Sequence, residues 1–588
     1  MYKNALLELR QSLDFYQNEC GLYPVLYFYG LGNGVLAKAL LQNEHLKFLV
    51  IFERDLGLLW SIFHCLDFSK ELRSDRLLLI ADYNDERLFS FVRAEIFLQY
   101  ARTYFLTMQC AYYQKDREDF ERVDALLAEN LNQAMLFFGN DSEDALLGIA
   151  NFIHNLPEFT SRPTIGALIH TYKKRFPNAL IVSTGPSLTK QLPLLKEVQK
   201  RVFIIAADSA YPILMREGIR PDLVLSLERI SFTSEFFKES FEGDEKVLFV
   251  LKSIVCPKTL QYLGERNFMG INGGASFDAL LRLRDFPLFS MGPSVANFAL
   301  HLALLLEFER IFFIGQDLAY GEDYRSHPQG YLYGIHDLDE AGERKENLRA
   351  PAYGGVGEVR TSFIWQVFRR NLEEVIGIAK AKIYNATEGG ARINGTVEKP
   401  FSECCVEFFT QNKPSPVPLS ILNSKKQEEI LLRACHKLHY FIKVGEIFVQ
   451  KLKTLHEEIT QILMQVSLLD LESEKLRLYK ASIEKLDALK NCVEKDEGFE
   501  CLGIILSPTL MQFEFNLAPL FVKQVRSTQE ALEKNELWVS RHLALVEEFI
   551  RLALAQNETI RTNITPLEEE IKKRGFEKYL LKIKEKNA

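Results

Sequence analysis

A series of short apolar segments between residues 163 and 418 constrains the fold of this chain more than any other feature. The segment LIVSTGPSL at residues 180–188 is typical, because apolar residues that suit a buried strand are followed by a tight turn and a helical sequence. Strands that alternate with helices in this way are typical of a mostly parallel sheet with helices on both faces. We therefore predict a Rossmann-like α/β domain for the central part of the chain.

The 588 residues are too many for one hydrophobic core, and the sequence changes character twice along its length. Residues 1–162 hold helical patterns around one strand-turn-helix-strand unit, which predicts an N-terminal α/β domain. Residues 163–418 form the predicted central domain. Residues 419–588 are charged, with apolar residues at helical spacing, which predicts an all-helical C-terminal domain.

The C-terminal region carries a narrow apolar seam at coiled-coil spacing, which predicts a long helix. Its members are Leu452, Leu455, Ile459, Ile462, Val466 and Leu469, continued by Leu476, Tyr479, Ile483 and Leu486. The segment LSPTLMQFEFNLAPLF is expected to interrupt this helix, and a second helical run at about residues 525–560 to fold back on it. Two interpretations stay open: a helix pair packed on its own seam, or a docking surface for a macromolecular acceptor.

A glycine-rich turn, Gly30-Leu31-Gly32-Asn33-Gly34, follows a strand in the N-terminal region and opens a helix. Glu53 ends the next strand, where the ribose-binding acid of a dinucleotide site lies. The turn therefore has two interpretations. It either approaches a phosphate or cofactor, or it is an ordinary turn in a domain without a ligand.

Composition excludes several classes of protein. The net charge of −8 argues against a general nucleic-acid binder. The N-terminus lacks the pattern of a secretion signal, and charged residues break the longest apolar run, so we expect a cytoplasmic protein without a membrane span. The nine scattered cysteines are expected to be buried, reduced thiols, with neither a disulfide framework nor a cysteine-based zinc site. His436 and His439 could ligate a metal, but without a nearby third ligand a helix-surface pair is the preferred interpretation.

The turn after the first central strand is suited to an anion. Thr184, Gly185 and Ser187 lie at the predicted start of a helix, where exposed backbone N–H groups and the helix dipole favour a phosphate or carboxylate. The turn lacks the lysine of a P-loop, so a single phosphate fits better than a triphosphate.

Small polar residues follow the neighbouring strands as well. Asp208 follows the second strand, and Ser226 and Glu228 end the third. Because ligands bind beyond the carboxyl ends of parallel strands, this clustering favours a binding site there. Ser294 opens a later helix and has an ordinary N-cap as its alternative role. Asp317 ends a later strand and is either a site residue or a buried cap.

Four segments, TGPSL, AADSAYPILMREGIRPDLVLSLE, IGQDLAY and IYNATEGGARI, together resemble the motility-associated factor (Maf) flagellin glycosyltransferases. They resemble bacterial sialyltransferases more distantly. This resemblance implies a donor-binding set made of Thr184, Gly185, Pro186, Ser187, Asp208, Ser226, Glu228, Ser294, Asn385 and Glu388. In it Asn385 and Glu388 stand on the cytidine side, and Ser294 faces the sugar carboxylate.

The same resemblance implies transfer of pseudaminic or legionaminic acid from its CMP ester to serine or threonine hydroxyls of flagellin, in support of flagellar assembly and motility. Sialyltransferases carry a catalytic histidine where this chain has Val359-Arg360-Thr361-Ser362, so the base cannot be carried over by position. The candidates for catalysis are Asp317, Tyr320, His327 and His336. Tyr320, Tyr324 and the Ser187 turn are candidates for holding the leaving group.

No cofactor is expected, and no metal ligand is assigned, because no DxD pair precedes the acceptor loop; a divalent ion is expected to help at most modestly. Two other functions stay open. Pterin diphosphokinases share the GPSL-type domain and transfer pyrophosphate from a nucleoside triphosphate. A non-enzymatic flagellin-binding or export factor would use the helical region and keep an inactive core. The particular sugar, the modified flagellin residues and the oligomeric state are not determined by the sequence.

Overall fold

The computed structural model describes residues 4–81, 83–84, 88, 101–136, 141–273, 277–334, 348–495 and 497–587. These residues form two compact units. The first unit comprises Met1–Ala145 and Glu446–Leu554, and the second comprises Leu146–Gly445 and Ala555–Ala588. This grouping differs from the three successive domains that the sequence indicated, because the C-terminal helices contribute to both units instead of forming a unit of their own.

The first unit contains a four-stranded parallel sheet with the strand order β3-β2-β1-β4. Its strands are β1 (Val25–Tyr29), β2 (Phe48–Glu53), β3 (Leu77–Ala81) and β4 (Leu106–Met108). The accompanying helices are α1 (Ala5–Asn18), α2 (Val35–Leu40), α3 (Leu56–Cys65), α4 (Ser69–Arg73) and α5 (Arg117–Leu136). All five residues of β1 are buried, because helices cover both faces of a parallel sheet.

The second unit is built on a nine-stranded sheet in which every pairing is parallel, with the order β10-β9-β8-β7-β6-β5-β11-β14-β15. The strands are β5 (Asn178–Val182), β6 (Phe203–Ala207), β7 (Leu223–Ser226), β8 (Leu248–Lys252), β9 (Phe268–Gly273), β10 (Leu288–Phe289), β11 (Arg310–Ile314), β14 (Lys382–Asn385) and β15 (Val397–Glu398). A separate antiparallel pair joins β12 (Arg349–Pro351) to β13 (Glu358–Arg360). The predicted Rossmann-like fold class is confirmed.

Helices flank this sheet and carry much of the core. They are α6 (Ser142–Thr160), α7 (Ile165–Tyr172), α8 (Leu188–Val198), α9 (Tyr211–Arg216), α10 (Ser231–Ser234), α11 (Pro257–Leu263), α12 (Phe277–Leu280), α13 (Val295–Leu305), α14 (Phe363–Ile378) and α15 (Phe401–Phe408). Phe298 on α13, Ile181 on β5 and Phe313 on β11 belong to one buried cluster. The two central strands are therefore held rigidly at the point where the site is built.

The strand order places a topological switch point between β5 and β11. The chain runs outward from β5 through β6 to β10, and then returns to the opposite side of β5 as β11. At a switch point of this kind a crevice forms outside the carboxyl ends of the two strands. In open α/β sheets this crevice is where ligands bind.

Six helices complete the chain: α16 (Ser424–Leu468), α17 (Glu472–Lys495), α18 (Gly503–Val522), α19 (Thr528–Asn563), α20 (Thr565–Lys573) and α21 (Glu577–Asn587). The seam prediction is confirmed by the burial of Leu452, Ile459 and Val466. The segment expected to interrupt the helices is itself helical, since α18 includes Pro508 and Pro519. In the part of this region that the structure describes, α16 and α17 are separated at residues 469–471, and a 3-10 helix at Glu497–Leu502 precedes α18.

One described helical stretch, Phe499–Val522, is long and apolar enough to cross a membrane by length and composition, and 33% of its most apolar window is buried in the protein. A single stretch of this kind is weak evidence for a span, because core helices of globular proteins share the same composition.

Candidate functional site

A cavity of about 350 Å³ lies at the switch point of the large sheet. Its wall includes residues that follow four different strands, together with the start of α13 and side chains of α14. The predicted site residues that line it are Thr184, Gly185, Asp208, Glu228, Ser294, Asp317 and His327. The sheet topology therefore brings together residues that lie more than 140 positions apart in the sequence.

Asp317 is a buried acid at the inner end of this cavity. The Ser187 hydroxyl donates a hydrogen bond of 2.7 Å to Asp317 Oδ2, and the Ser187 backbone N–H lies 3.3 Å from both carboxylate oxygens. Burial raises the pKa of Asp317 to about 6, although the two Ser187 donors oppose this shift. The carboxyl group is thus able to exchange a proton close to neutral pH.

The close approach of the chain around Asp317 explains the glycines on either side. A Cβ on Gly185 would lie 2.0 Å from Asp317 Oδ2, and a Cβ on Gly390 would lie 2.2 Å from the Asp317 carbonyl oxygen. Gly390 also has a φ of +72°, which side chains rarely adopt. Larger residues at either position would displace the carboxyl group.

The GPSL turn satisfies several of its donors within the protein. The Gly185 N–H donates to the Gly315 carbonyl at 2.7 Å, the Leu188 N–H donates to the Gly185 carbonyl at 3.1 Å, and the Ser187 donors face Asp317. The predicted anion site of this turn therefore already has an internal carboxylate beside it. A phosphate at this turn would share the Ser187 hydroxyl with Asp317.

A second buried acid, Asp208, lies after β6. It accepts hydrogen bonds from the Ser226 hydroxyl at 2.7 Å and from the Ser209 N–H at 2.8 Å. Burial is the main cause that raises the pKa of Asp208 to about 6, and the nearby Glu228 carboxylate contributes. Ser226 is thus buried and donates its hydroxyl hydrogen to Asp208. Glu228, in contrast, is exposed and lines the cavity.

Hydroxyl groups and a helix N-terminus occupy the opposite wall. The Thr184 hydroxyl lies 3.0 Å from the Ser209 hydroxyl. Ser294 is the N-cap of α13, where its side chain accepts a hydrogen bond from the Asn297 N–H at 3.3 Å. The N-cap role that the sequence left open for Ser294 is thus present, and the residue lines the cavity as well.

His327 lies at the mouth of the cavity, and its ring is held in place by two neighbours. Its Nδ1 is 2.8 Å from the Ser326 hydroxyl, and its ring stacks on Tyr331 with centroids 3.9 Å apart. The other histidine candidate, His336, lies outside the described residues. Of the two histidines, His327 is therefore the one with a defined place in the site.

The tyrosine candidates differ in position. Tyr320 is partly buried, with its ring centroid 4.6 Å from that of Trp365, which is itself a cavity residue. Tyr324 is 52% exposed, and the Arg360 guanidinium lies over its ring. Neither tyrosine is among the residues that line the cavity.

The predicted cytidine-side residues are also placed away from the cavity wall. Asn385 is fully buried, and its Oδ1 accepts a hydrogen bond from the Thr387 N–H at 3.2 Å. Glu388 Oε2 accepts a hydrogen bond from the Phe401 N–H at 2.9 Å. Both side chains thus accept hydrogen bonds from backbone N–H groups near the site.

The structure adds site residues that the sequence analysis did not identify. Gln316 receives a hydrogen bond of 2.5 Å from the Ser183 hydroxyl, and Trp365, Phe236 and Tyr331 give the cavity an aromatic wall. Gln316 stands beside Asp317 and could have been noticed as part of the same strand end. The aromatic residues carried no distinguishing signal, because aromatic residues at helical spacing usually belong to a core.

The glycine-rich turn of the first unit is closed by the protein itself. Glu53 is buried and accepts the Leu31 N–H at 2.9 Å, while the Gly32 N–H donates to the Tyr113 hydroxyl at 2.9 Å. The Tyr113 hydroxyl donates to Glu53 at 2.5 Å, and a Cβ on Gly30 would clash with the Tyr113 ring at 2.0 Å. This geometry favours the interpretation of an ordinary turn without a ligand.

Comparison with known proteins gives two similarities. Residues 150–323 match the family described as 6-hydroxymethylpterin diphosphokinase MptE-like. The solved structure of a Maf glycosyltransferase from Magnetospirillum magneticum AMB-1 is similar over 93% of this chain and 82% of that chain, with a TM-score of 0.56 and 16% sequence identity. The chain has the Maf glycosyltransferase fold. The resemblance to Maf glycosyltransferases that the sequence motifs indicated is thus confirmed for the fold.

No curated protein matches the sequence of this chain. The family match covers the segment from α6 to the loop after β11, which contains most of the cavity wall. The structural similarity extends over nearly the whole chain, including the helical region that lies beyond the family match.

Proposed function

We propose that this chain is a glycosyltransferase that moves a nonulosonic acid, pseudaminic or legionaminic acid, from its CMP ester to serine or threonine hydroxyls of flagellin in the cytoplasm. The observation that carries this proposal is the cavity at the switch point of a Maf-like fold, which is lined by five residues of the expected donor-binding set: Thr184, Gly185, Asp208, Glu228 and Ser294. A transferase of this kind would serve flagellar assembly and motility.

The proposed reaction is a direct displacement at the anomeric carbon. The acceptor hydroxyl oxygen forms the new bond, the bond to the CMP phosphate breaks, and a base takes the hydroxyl proton. Asp317 is our first candidate for that base, because it lines the cavity and its pKa is raised to about 6. His327 is the second, since Ser326 and Tyr331 hold its ring at the mouth of the cavity.

The leaving CMP would be stabilised mainly by neutral donors. The described residues that line the cavity include no lysine or arginine, whereas Asp208, Glu228 and Asp317 are acidic. An anionic donor therefore depends on the Thr184 hydroxyl and on the positive end of α13, since the Ser294 hydroxyl donates to Asn297 Oδ1. The aromatic wall offers Trp365 as a flat surface for a base or sugar ring.

The test is the intact mass of flagellin after incubation with the full chain and a CMP-linked nonulosonic acid. We expect a mass gain of whole sugar units, and the same incubation with the Asp317→Ala protein serves as the matched control. If folded wild-type protein binds flagellin and leaves its mass unchanged, the transferase proposal fails and a non-enzymatic flagellin-binding or export role replaces it.

A second candidate function is pyrophosphate transfer from a nucleoside triphosphate to a pterin, which the MptE-like match over residues 150–323 favours. A triphosphate would require cationic side chains, yet the described cavity wall carries three acids and no lysine or arginine. We therefore rank this function second. Release of AMP from ATP in the presence of 6-hydroxymethylpterin and Mg²⁺ would support it.

A further inference from the structure

Three side chains with different metal-binding atoms converge in the helical part of the second unit. Cys435 and His439 lie on α16, and Glu568 lies on α20. The sulfur, a ring nitrogen and a carboxylate oxygen of this trio are all within 4.8 Å of one another. Of the residues that the structure describes, these form the one group of at least three such side chains at this spacing.

The positions of these residues explain how they meet. Cys435 and His439 are four residues apart, so they share one face of α16. His439 Nε2 lies 3.0 Å from Glu568 Oε1, and Lys584 of α21 binds the other oxygen, Oε2, at 2.6 Å. The sequence analysis found no third ligand for a histidine pair in this region, because Glu568 is 129 residues away in the chain.

The donor set matches the preferences of a borderline transition-metal ion. Zinc binds cysteine sulfur at about 2.3 Å and histidine nitrogen or carboxylate oxygen at about 2.0–2.2 Å. Ligand atoms around a tetrahedral ion of this size are therefore ~3.5 Å apart. Rotation of the His439 and Glu568 side chains, which are 16% and 13% exposed, can close the remaining gap to the buried Cys435 sulfur.

We propose that Cys435, His439 and Glu568 bind one zinc-class divalent ion, with water as the fourth ligand. The ion replaces the hydrogen bond between His439 and Glu568, and Cys435 releases its thiol proton to solvent. The thiolate and the carboxylate together balance the two positive charges of the ion. Lys584 keeps its contact with Glu568 Oε2 and orients the carboxylate from outside, as outer partners of metal ligands do.

The consequence of this site is a link between helices that are far apart in the sequence. Within the second unit, an ion held by Cys435, His439 and Glu568 joins α20 to the first part of α16. The site is separate from the cavity at the switch point, because none of its residues lines that cavity. The inference is therefore independent of the proposed transferase function.

The test uses the purified, metal-free full chain titrated with Co²⁺, which reports thiolate and tetrahedral ligation by absorption. We expect one equivalent of Co²⁺ to produce a thiolate-to-metal band in the near ultraviolet and strong visible bands, both displaced by Zn²⁺. Cys435→Ser should remove the thiolate band. Glu568→Gln should weaken binding by at least about 10–100-fold, because changing even an outer partner of a metal ligand costs that much.

His436→Ala is the matched control, because His436 neighbours Cys435 but does not belong to the trio. It should leave the spectrum and the stoichiometry unchanged, with circular dichroism showing that each variant is folded. Absence of a stoichiometric thiolate band in wild type overturns the proposal. So does a band that survives Cys435→Ser, since the ion would then bind another of the cysteines. If Cys435→Ser fails to fold, Glu568→Gln decides, and unchanged affinity there overturns the proposal.

Discussion

Asp317→Asn tests the central feature of the site, since it replaces a buried carboxyl group by a neutral side chain of the same shape. With a pKa of about 6, Asp317 is mostly ionised at pH 7 and becomes protonated as the pH falls through 6. If it is the base, kcat/KM in the flagellin assay should fall about 10²–10⁴-fold in the variant. In wild type, kcat/KM should fall as the pH drops below about 6, and this acid limb of the pH profile should be absent from the variant.

Whereas Asp317→Asn is expected to lower activity, it should also remove a cost to the free energy of unfolding. The pKa of Asp317 rises from 3.8 to about 6, so the ionised group costs the folded protein about 3 kcal/mol at pH 8. Because the folded-state pKa is the higher one, the contribution of this group to stability is complete below pH 3.8. It is lost as the pH rises through about 6. Between pH 5 and pH 8 the loss is about 1.4 kcal/mol.

We therefore expect the unfolding free energy to change differently in the two proteins when the pH is raised from 5 to 8. The decrease should be about 1.4 kcal/mol smaller in Asp317→Asn than in wild type, as measured by urea unfolding at pH 5 and at pH 8. Asp208→Asn is the matched control, because burial raises the pKa of Asp208 to the same value of about 6. It should show a similar stability change and keep the acid limb of the activity profile. An acid limb that survives Asp317→Asn and vanishes in Asp208→Asn refutes the assignment of the base.

The remaining predictions concern donor binding, proton transfer and the helical region. Ser187→Ala should weaken CMP binding about 5-fold in calorimetry, the value of one hydrogen bond, and unchanged affinity would remove Ser187 from the donor site. Trp365→Ala should raise the dissociation constant of the CMP-sugar about 10-fold while Trp365→Phe retains most of the affinity; equal affinities would exclude stacking. His327→Gln should lower kcat about 10-fold or more with little change in KM, and normal turnover would exclude His327 from the chemistry. Removal of residues 419–588 should leave an unfolded or aggregated product in size-exclusion chromatography, because both compact units include residues from that region; a folded, CMP-binding product would contradict this.

The sequence was most informative where a backbone pattern and a side-chain type coincide. Apolar strands ending in Gly185, Asp208 and Asp317 predicted both the parallel sheet and the edge that carries the cavity. The order of the strands was not accessible, because each crossover is decided by packing between distant segments. The same holds for α18, whose two prolines suggest a break although Leu506 and Leu510 are buried in a continuous helix.

The part of the candidate site that follows from strand ends was accessible from the sequence, whereas the part that depends on packing between distant segments was not. Gly185, Asp208 and Asp317, which follow strands, line the cavity at the sheet edge, whereas the Asn385 side chain is buried and accepts the Thr387 N–H. Trp365 went unnoticed because a tryptophan on an amphipathic helix is usually a core residue. Its role depends on how α14 packs beside α13, which only the tertiary structure reveals.

The closed glycine-rich turn of the first unit has a consequence for the access of a ligand to its backbone N–H groups. Glu53 accepts the Leu31 N–H and the Tyr113 hydroxyl accepts the Gly32 N–H, so two backbone donors that a nucleotide phosphate would need already have partners. A diphosphate arriving there would have to expel a buried carboxylate before it met a single donor. The turn is thus occupied by side chains of the chain itself, and a glycine spacing that elsewhere accommodates a cofactor here accommodates Glu53 and Tyr113.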